Sequence, residues 1–148
     1  MDRNGVRGDI MRGDEKRVVG AFGRYLTERG WTVEYEVEHC DVRASGPGKQ
    51  LLFGEAKGRT SAIGLDVDTL YGQLLRRMPA EHLDDARFAV IVPDDGLKAA
   101  LRVPQRIRDR LNIDVYSVDE TGKVTPYTGP TGTGPESMES LEGAAPKE

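Results

Sequence analysis

The chain has 148 residues and a formal net charge of −4, with 37% apolar and 31% charged residues, which suffices for one domain with its own core. It contains no apolar run near the roughly 18 residues of a membrane span, and its polar start predicts no signal peptide. The single cysteine cannot form an internal disulfide, and because no export signal is predicted, we expect a cytoplasmic protein.

The first third of the chain predicts a flexible arm, a helix and a strand. Residues 1–13 mix glycine, asparagine and alternating charges, which is typical of a loose arm. Asp14 is a good helix cap, and Gly30 is a good helix end. Residues 31–38 alternate strictly between apolar and polar, which predicts a strand. Its inward-facing residues would be Trp31, Val33, Tyr35 and Val37, and its glutamates would face solvent.

Two short apolar runs follow, each carrying acidic residues. The break between them, at residues 45–49, is rich in turn formers and predicts a hairpin. Asp41 then lies on one strand, and Glu55 and Lys57 lie on its antiparallel neighbour. Glu55 and Lys57 are two residues apart and emerge on the same face. Two carboxylates beside one ammonium group are costly unless a cation lies between the carboxylates, and Mg²⁺ prefers oxygen ligands of this kind.

The rest of the chain alternates between helices and strands. We predict helices at 65–78 and 97–111, the latter interrupted near Pro104, and strands at 86–92, 113–118 and 123–127. The 86–92 run is almost entirely apolar, which is typical of a central strand buried on both faces. The predicted fold is therefore α/β, with element order α-β-β-β-α-β-α-β, a mixed sheet and flanking helices. The domain would span 14–127, followed by a disordered tail at 128–148.

Asp41 and the triplet Glu55-Ala56-Lys57, placed on a hairpin within this order of elements, resemble the signature of the PD-(D/E)XK nuclease superfamily. The resemblance covers about residues 14–118, and Cys40 stands where the family name has proline. It implies the restriction-endonuclease-like fold and a Mg²⁺-dependent DNA endonuclease, with Mn²⁺ as a substitute metal. Asp41, Glu55 and the backbone carbonyl of Ala56 would hold the ion. Lys57 would orient or activate the attacking water.

The resemblance also implies roles for residues outside the hairpin. Glu15, on the first helix, would reach the metal through water or bind a second ion. Gln73, on the following helix, would hydrogen-bond the water or Lys57. The DNA backbone would be bound by five further residues, namely Arg59, Thr60, Ser61, Arg76 and Arg77. Cleavage of both strands would suit a homodimer, and no membrane partner is expected.

Plainer interpretations stand beside these. The three motif residues also suit a surface salt-bridge cluster, Glu15 a helix-dipole carboxylate and Gln73 an exposed helix position. The arginines at 102, 106, 108 and 110 suit a solvated helix face. His39 and His82 have no soft ligand nearby, so zinc is not expected, and Cys40 suits a small buried side chain. The alternative function is a catalytically inactive nuclease-fold module that binds nucleic acid or protein.

Overall fold

A computed structural model of the protein describes residues 3–37 and 40–127, with side chains from residue 14 onward. The predicted disordered tail and His39 lie outside the described residues. The helices are α1 (Arg3–Glu28), α2 (Ile63–Arg77), α3 (Leu97–Ala100) and α4 (Gln105–Arg110). The strands are β1 (Thr32–Val37), β2 (Cys40–Ser45), β3 (Leu51–Ala56), β4 (Ala86–Pro93), β5 (Ile113–Val118) and β6 (Val124–Tyr127).

The strands form one mixed sheet in the order β1-β2-β3-β4-β5-β6. The first three strands pair antiparallel, β3, β4 and β5 run parallel, and β6 returns antiparallel to β5. The parallel strands are joined through helices because a parallel connection needs a crossover. This confirms the predicted α/β class, the mixed sheet and the order of its elements, and the strand predicted at 123–127 is β6, the outermost strand beside β5.

The core lies on both faces of the sheet. Helix α1 covers one face, where the rings of Phe22 and Tyr116 lie 4.7 Å apart between centroids. Helices α2 and α3 cover the other face, where Phe53 stacks on Phe88 at 6.0 Å. Strand β4 is buried almost throughout, as its apolar run predicted. Of the helices in residues 3–37 and 40–127, none has the length and apolar character that crossing a membrane requires.

Helix α1 is longer than the sequence predicted. Its backbone begins at Arg3, so residues 3–13, expected as a flexible arm, are helical and Asp14 is not the cap. The Asp14 carboxylate instead accepts a hydrogen bond from Arg17 Nε at 3.0 Å, one turn along the helix. It also accepts one from the backbone N–H of Arg59. Tertiary contacts therefore use the side chain that local propensity assigned to a helix start.

Several side chains differ from their predicted burial. Tyr35 is 49% exposed because β1 is an edge strand, although its hydroxyl still lies against Gly23 of α1. Leu65, the first residue of the helix predicted at 65–78, is 69% exposed in the first turn of α2. Arg108, predicted on a solvated face, is buried, and its Nε donates to the carbonyl of Val103 at 3.0 Å.

Candidate active site

The β2–β3 hairpin brings Asp41 and Glu55 together at one end of the sheet. Val42 pairs with Gly54, so the next residues outward on the two strands are Asp41 and Glu55. Asp41 Oδ2 accepts a hydrogen bond from the backbone N–H of Ala56 at 2.8 Å. This bond fixes the Asp41 carboxylate at the end of β3, beside the predicted motif.

Glu55 is a buried carboxylate with only part of its hydrogen-bonding capacity used. Its side chain is 1% exposed, and Oε1 accepts a hydrogen bond from Arg77 at 3.1 Å. Oε2 is buried and receives no N–H hydrogen bond, while the Cys40 thiol and the Asp41 carboxyl lie close to the same Glu55 carboxyl group. Buried polar atoms are nearly always paired, so an unpaired carboxylate oxygen marks either a costly position or a position that binds a ligand.

The electrostatics of the pair follow from burial and like charge. Burial, together with the negative charge of Asp41, raises the pKa of Glu55 from 4.5 to about 7, and Arg77 offsets part of that rise. Burial also raises the pKa of Asp41, although the Ala56 N–H and Arg77 oppose it. Two carboxylates in this state favour a nearby cation, because a positive charge lowers both pKa values and relieves their repulsion.

Cys40 is buried beside Glu55, as predicted for a small buried side chain. Burial, followed by the charge of Glu55, raises the pKa of the thiol to about 11, so it is not a thiolate nucleophile at neutral pH. Cys40 packs with the α2-side cluster, whereas Val42, two residues later, packs with the α1-side cluster. Strict alternation therefore breaks at Asp41, opposite Glu36, whose φ is +55°.

The residues after β3 bind this site to helix α1. Lys57 extends the β3–β4 ladder by donating its N–H to the carbonyl of Ile91 at 3.0 Å, and its side chain is half-buried. Continued alternation places that side chain on the Glu55 side. A β-carbon built on Gly58 would lie 2.5 Å from the backbone nitrogen of Glu15, so only glycine permits this approach. The motif and Glu15 are thereby held close together.

A cavity of about 280 Å³ opens between α1 and the β1–β2 edge. Glu15 and Asp41 both line it, which places the predicted α1 carboxylate and the first motif carboxylate around the same space. Tyr35, Glu36 and Lys16 complete the charged and aromatic part of the wall. The space lies directly beside Asp41.

Within the described part of the chain, no three His, Cys, Asp or Glu side chains converge closely enough to hold a metal ion. The ion predicted here needs fewer side chains, since Mg²⁺ commonly takes one or two carboxylates and completes its shell with water. The oxygen-only pair and the unpaired Glu55 Oε2 fit such an ion. His82 pairs instead with Asp85, with 3.1 Å between Nδ1 and Oδ1.

The first of two solved structures similar to this chain supports the fold. An XisH family protein from Nostoc punctiforme superposes with a TM-score of 0.52 at 18% identity, covering 74% of this chain and 96% of that one. A fdxN element excision controlling factor protein from Anabaena variabilis gives a TM-score of 0.48 at 20% identity, covering 79% and 96% of the two chains. No family model and no curated protein sequence matches the chain.

Of the other predicted site residues, Arg77 contacts the carboxylate pair directly, through its hydrogen bond to Glu55. Gln73 is half-buried on α2, one helical turn before Arg77, so the two side chains share a face of the helix. Arg76 and Ser61 are exposed. The hydroxyl of Thr60 donates to Asp66.

Arg59 forms ion pairs with acidic residues other than Asp41 and Glu55. Its guanidinium lies 3.3 Å from Glu120 and 3.9 Å from Asp95. Four acidic residues surround it in an open cleft of about 460 Å³, and we call them the acidic rim: Asp94, Asp95, Asp119 and Glu120. The rim residues come directly after β4 and β5, at the end of the sheet where β3 also ends.

Two ion pairs in the structure were not predicted from the sequence. Arg77, predicted to bind DNA, also donates a hydrogen bond to Glu55. Arg87 on β4 donates from Nε to Asp114 Oδ2 on β5 at 3.0 Å, and Asp114 is buried. The sequence pattern that could have predicted the second pair is a single charged residue inside each of two apolar strands, Arg87 in β4 and Asp114 in β5. Since both strands are central and parallel, each buried charge needed a partner on a neighbouring strand.

Proposed function

We propose that this protein is a Mg²⁺-dependent nuclease that hydrolyses phosphodiester bonds in DNA at the end of the β2–β3 hairpin. One observation carries the proposal, namely a fully buried Glu55 carboxylate with an unpaired oxygen, next to the Asp41 carboxylate. A surface salt-bridge cluster would leave both acids solvated. Here Glu55 is buried and Asp41 is half-buried beside it, an arrangement of like charges that is costly unless a cation offsets it and that is typical of functional sites.

Asp41 and Glu55 would hold the ion, with the backbone carbonyl of Ala56 as a third oxygen ligand. When bound, the ion would lower the pKa of a water molecule and stabilise the charge that builds on the phosphate. The hydrogen bond from the Ala56 N–H to Asp41 Oδ2 keeps that carboxylate oriented, so its other oxygen remains available to a ligand. This preorganisation reduces the ordering required when substrate binds.

Lys57 and Glu15 would act on the water and the phosphate. The ammonium group of Lys57, on the Glu55 side of β3, would orient the attacking water or place positive charge beside the phosphoryl oxygens. Glu15, held near the motif by the close approach of Gly58, would hydrogen-bond water in the cavity it shares with Asp41. Gln73, half-buried on α2, would hydrogen-bond the water or Lys57.

The test is cleavage of supercoiled, linear and branched DNA in Mg²⁺ or Mn²⁺ by the parent, Asp41→Asn, Glu55→Gln and Lys57→Ala. We expect the parent to cut and all three variants to lose cleavage. Thermal melting with and without metal should show a metal-dependent rise for the parent and Lys57→Ala, but not for the two carboxylate variants. If the three variants cut as well as the parent, the assigned site is wrong.

A second function is favoured by one contact, the hydrogen bond between Arg77 and Glu55. An arginine already neutralises the carboxylate that the ion would need, as expected of a nuclease-fold module that binds DNA without turnover. Under this alternative the parent would bind DNA in an electrophoretic shift assay and leave it intact in both metals. Each of the two carboxylate substitutions would then have the same effect on the melting temperature with and without metal.

A further inference from the structure

Arg77 lies between Glu55 and solvent at the last residue of α2. Its side chain is 36% exposed, whereas the carboxylate it binds is 1% exposed, and the N–O distance between them is 3.1 Å. The chain leaves the helix at Met78 in an extended conformation, so the Arg77 side chain is anchored at a helix end. The guanidinium is therefore the solvent-facing half of a pair whose other half is buried.

The pair leaves charge and hydrogen bonding unsatisfied. One guanidinium faces two carboxylates, and its bond to Oε1 leaves Oε2 of Glu55 without a partner. A divalent cation neutralises two carboxylates and uses the second oxygen. Guanidinium and metal nevertheless compete for the same charge. Moving Arg77 away before a metal ion binds would leave the buried Glu55 carboxylate without a positive partner, which is strongly destabilising.

A phosphate offers Arg77 an alternative partner. Guanidinium groups bind phosphate oxygens in a bidentate, charge-assisted geometry, and an arginine that is one-third exposed can reach a ligand arriving from solvent. Arg76, the preceding residue, is exposed and adds a second positive charge at the same helix end. The phosphates of a DNA backbone would thus supply the negative charge that Arg77 could bind in place of Glu55.

We propose that Arg77 is a positioning residue that couples metal binding to DNA binding. In the free protein its guanidinium binds the Glu55 carboxylate. A phosphodiester group of the DNA then binds the guanidinium instead, which frees the carboxylate to bind the ion. This inference rests on the proposed metal site. It implies a reciprocal coupling, in which DNA tightens metal binding by the same factor by which metal tightens DNA binding.

The experiment measures Mn²⁺ affinity by electron paramagnetic resonance, with and without a short DNA duplex, in a Lys57→Ala background that keeps the DNA intact. Mn²⁺ bound by the duplex itself is subtracted using the Glu55→Gln protein. We expect DNA to tighten Mn²⁺ binding of the Arg77 protein about tenfold, within the usual range of coupling between sites. In Arg77→Gln, Mn²⁺ should bind about tenfold more tightly without DNA, and DNA should add little.

Arg76→Gln is the matched control, because it removes the same charge from the neighbouring residue. It should keep the original Mn²⁺ affinity without DNA and the gain on adding DNA, although its DNA affinity falls. Arg77→Lys retains a charge without the planar fork and should give an intermediate coupling, which guards against a folding defect in Arg77→Gln.

Two results would overturn the inference, and they are distinguishable. If Mn²⁺ binds at Glu55 with the same affinity in both Arg77 and Arg77→Gln proteins, and DNA has the same effect on each, Arg77 does not couple the sites and the metal site stands. If no protein binds Mn²⁺ beyond the Glu55→Gln background, even with DNA, the proposed metal site fails and the coupling fails with it.

Discussion

Replacing Glu55 with glutamine should stabilise the protein at alkaline pH. The folded-state pKa of Glu55 is raised from 4.5 to about 7, chiefly by burial and by Asp41. The folded state therefore binds a proton more tightly than the unfolded state does. The associated stability is fully present below pH 4.5 and is lost as the pH rises through about 7.

The size of the effect follows from the shift. A rise from 4.5 to about 7 corresponds to roughly 3 kcal/mol of unfolding free energy. Glutamine has nearly the same shape, carries no charge and still offers an oxygen to Arg77. The difference in unfolding free energy, variant minus parent, should thus increase by up to roughly 3 kcal/mol between pH 4 and pH 8.

The assay is urea unfolding of both proteins at half-unit pH steps in a metal-free buffer. The exposed Glu81→Gln variant serves as the matched control for a change of glutamate to glutamine. Added Mg²⁺ at pH 8 should then stabilise the parent and leave Glu55→Gln unchanged, by mass action on a site present only in the parent. A variant-minus-parent difference that stays flat with pH would show that burial and the Asp41 charge do not act on Glu55 as argued.

Three further predictions concern the surroundings of the site. Gly58→Ala would place a β-carbon against the α1 backbone and should cost about 1–3 kcal/mol in urea unfolding, whereas Gly64→Ala, with open space around it, should cost nothing. A comparable loss in both would contradict the close approach. Arg87→Met leaves the buried Asp114 carboxylate without its partner and should cost about 2–3 kcal/mol at pH 8; because the stranded carboxyl takes up a proton more readily in the folded state, the loss should shrink in acid, and a pH-independent loss would point to packing alone. Cys40, whose pKa is raised to about 11 mainly by burial, should resist iodoacetamide at pH 8 in the folded protein and react once urea unfolds it; rapid labelling of the folded protein would refute its burial.

The sequence was most informative where local patterns and the fold agree. The apolar run at 86–92 predicted a strand buried on both faces, and breakers at 45–49 predicted the hairpin that sets Asp41 beside Glu55. Two residues of that hairpin turn, Gly48 and Lys49, have positive φ, which such a connection requires. These features depend on neighbours a few residues apart, so periodicity and turn chemistry suffice to find them.

The features that escaped prediction depend on distant parts of the chain. Arg77 and Glu55 are 22 residues apart, and their contact is created by the packing of α2 on β3. The change of face at Cys40 arises where the backbone of Glu36, on the neighbouring strand, adopts a positive φ. Periodicity carries no information about such contacts, because it treats each element separately. Arg77, beside Arg76 at the end of an amphipathic helix, gave no sign of its partner.

The acidic rim gives the molecule a preferred direction of approach for a polyanion. Its four carboxylates follow β4 and β5 and already neutralise Arg59, so phosphates arriving on that flank would meet net repulsion. The carboxylate pair lies at the same end of the sheet, but on β2 and β3. The acidic rim would therefore disfavour the approach of a nucleic-acid strand over β4 and β5, and low salt would strengthen this effect, since screening weakens repulsion between exposed charges.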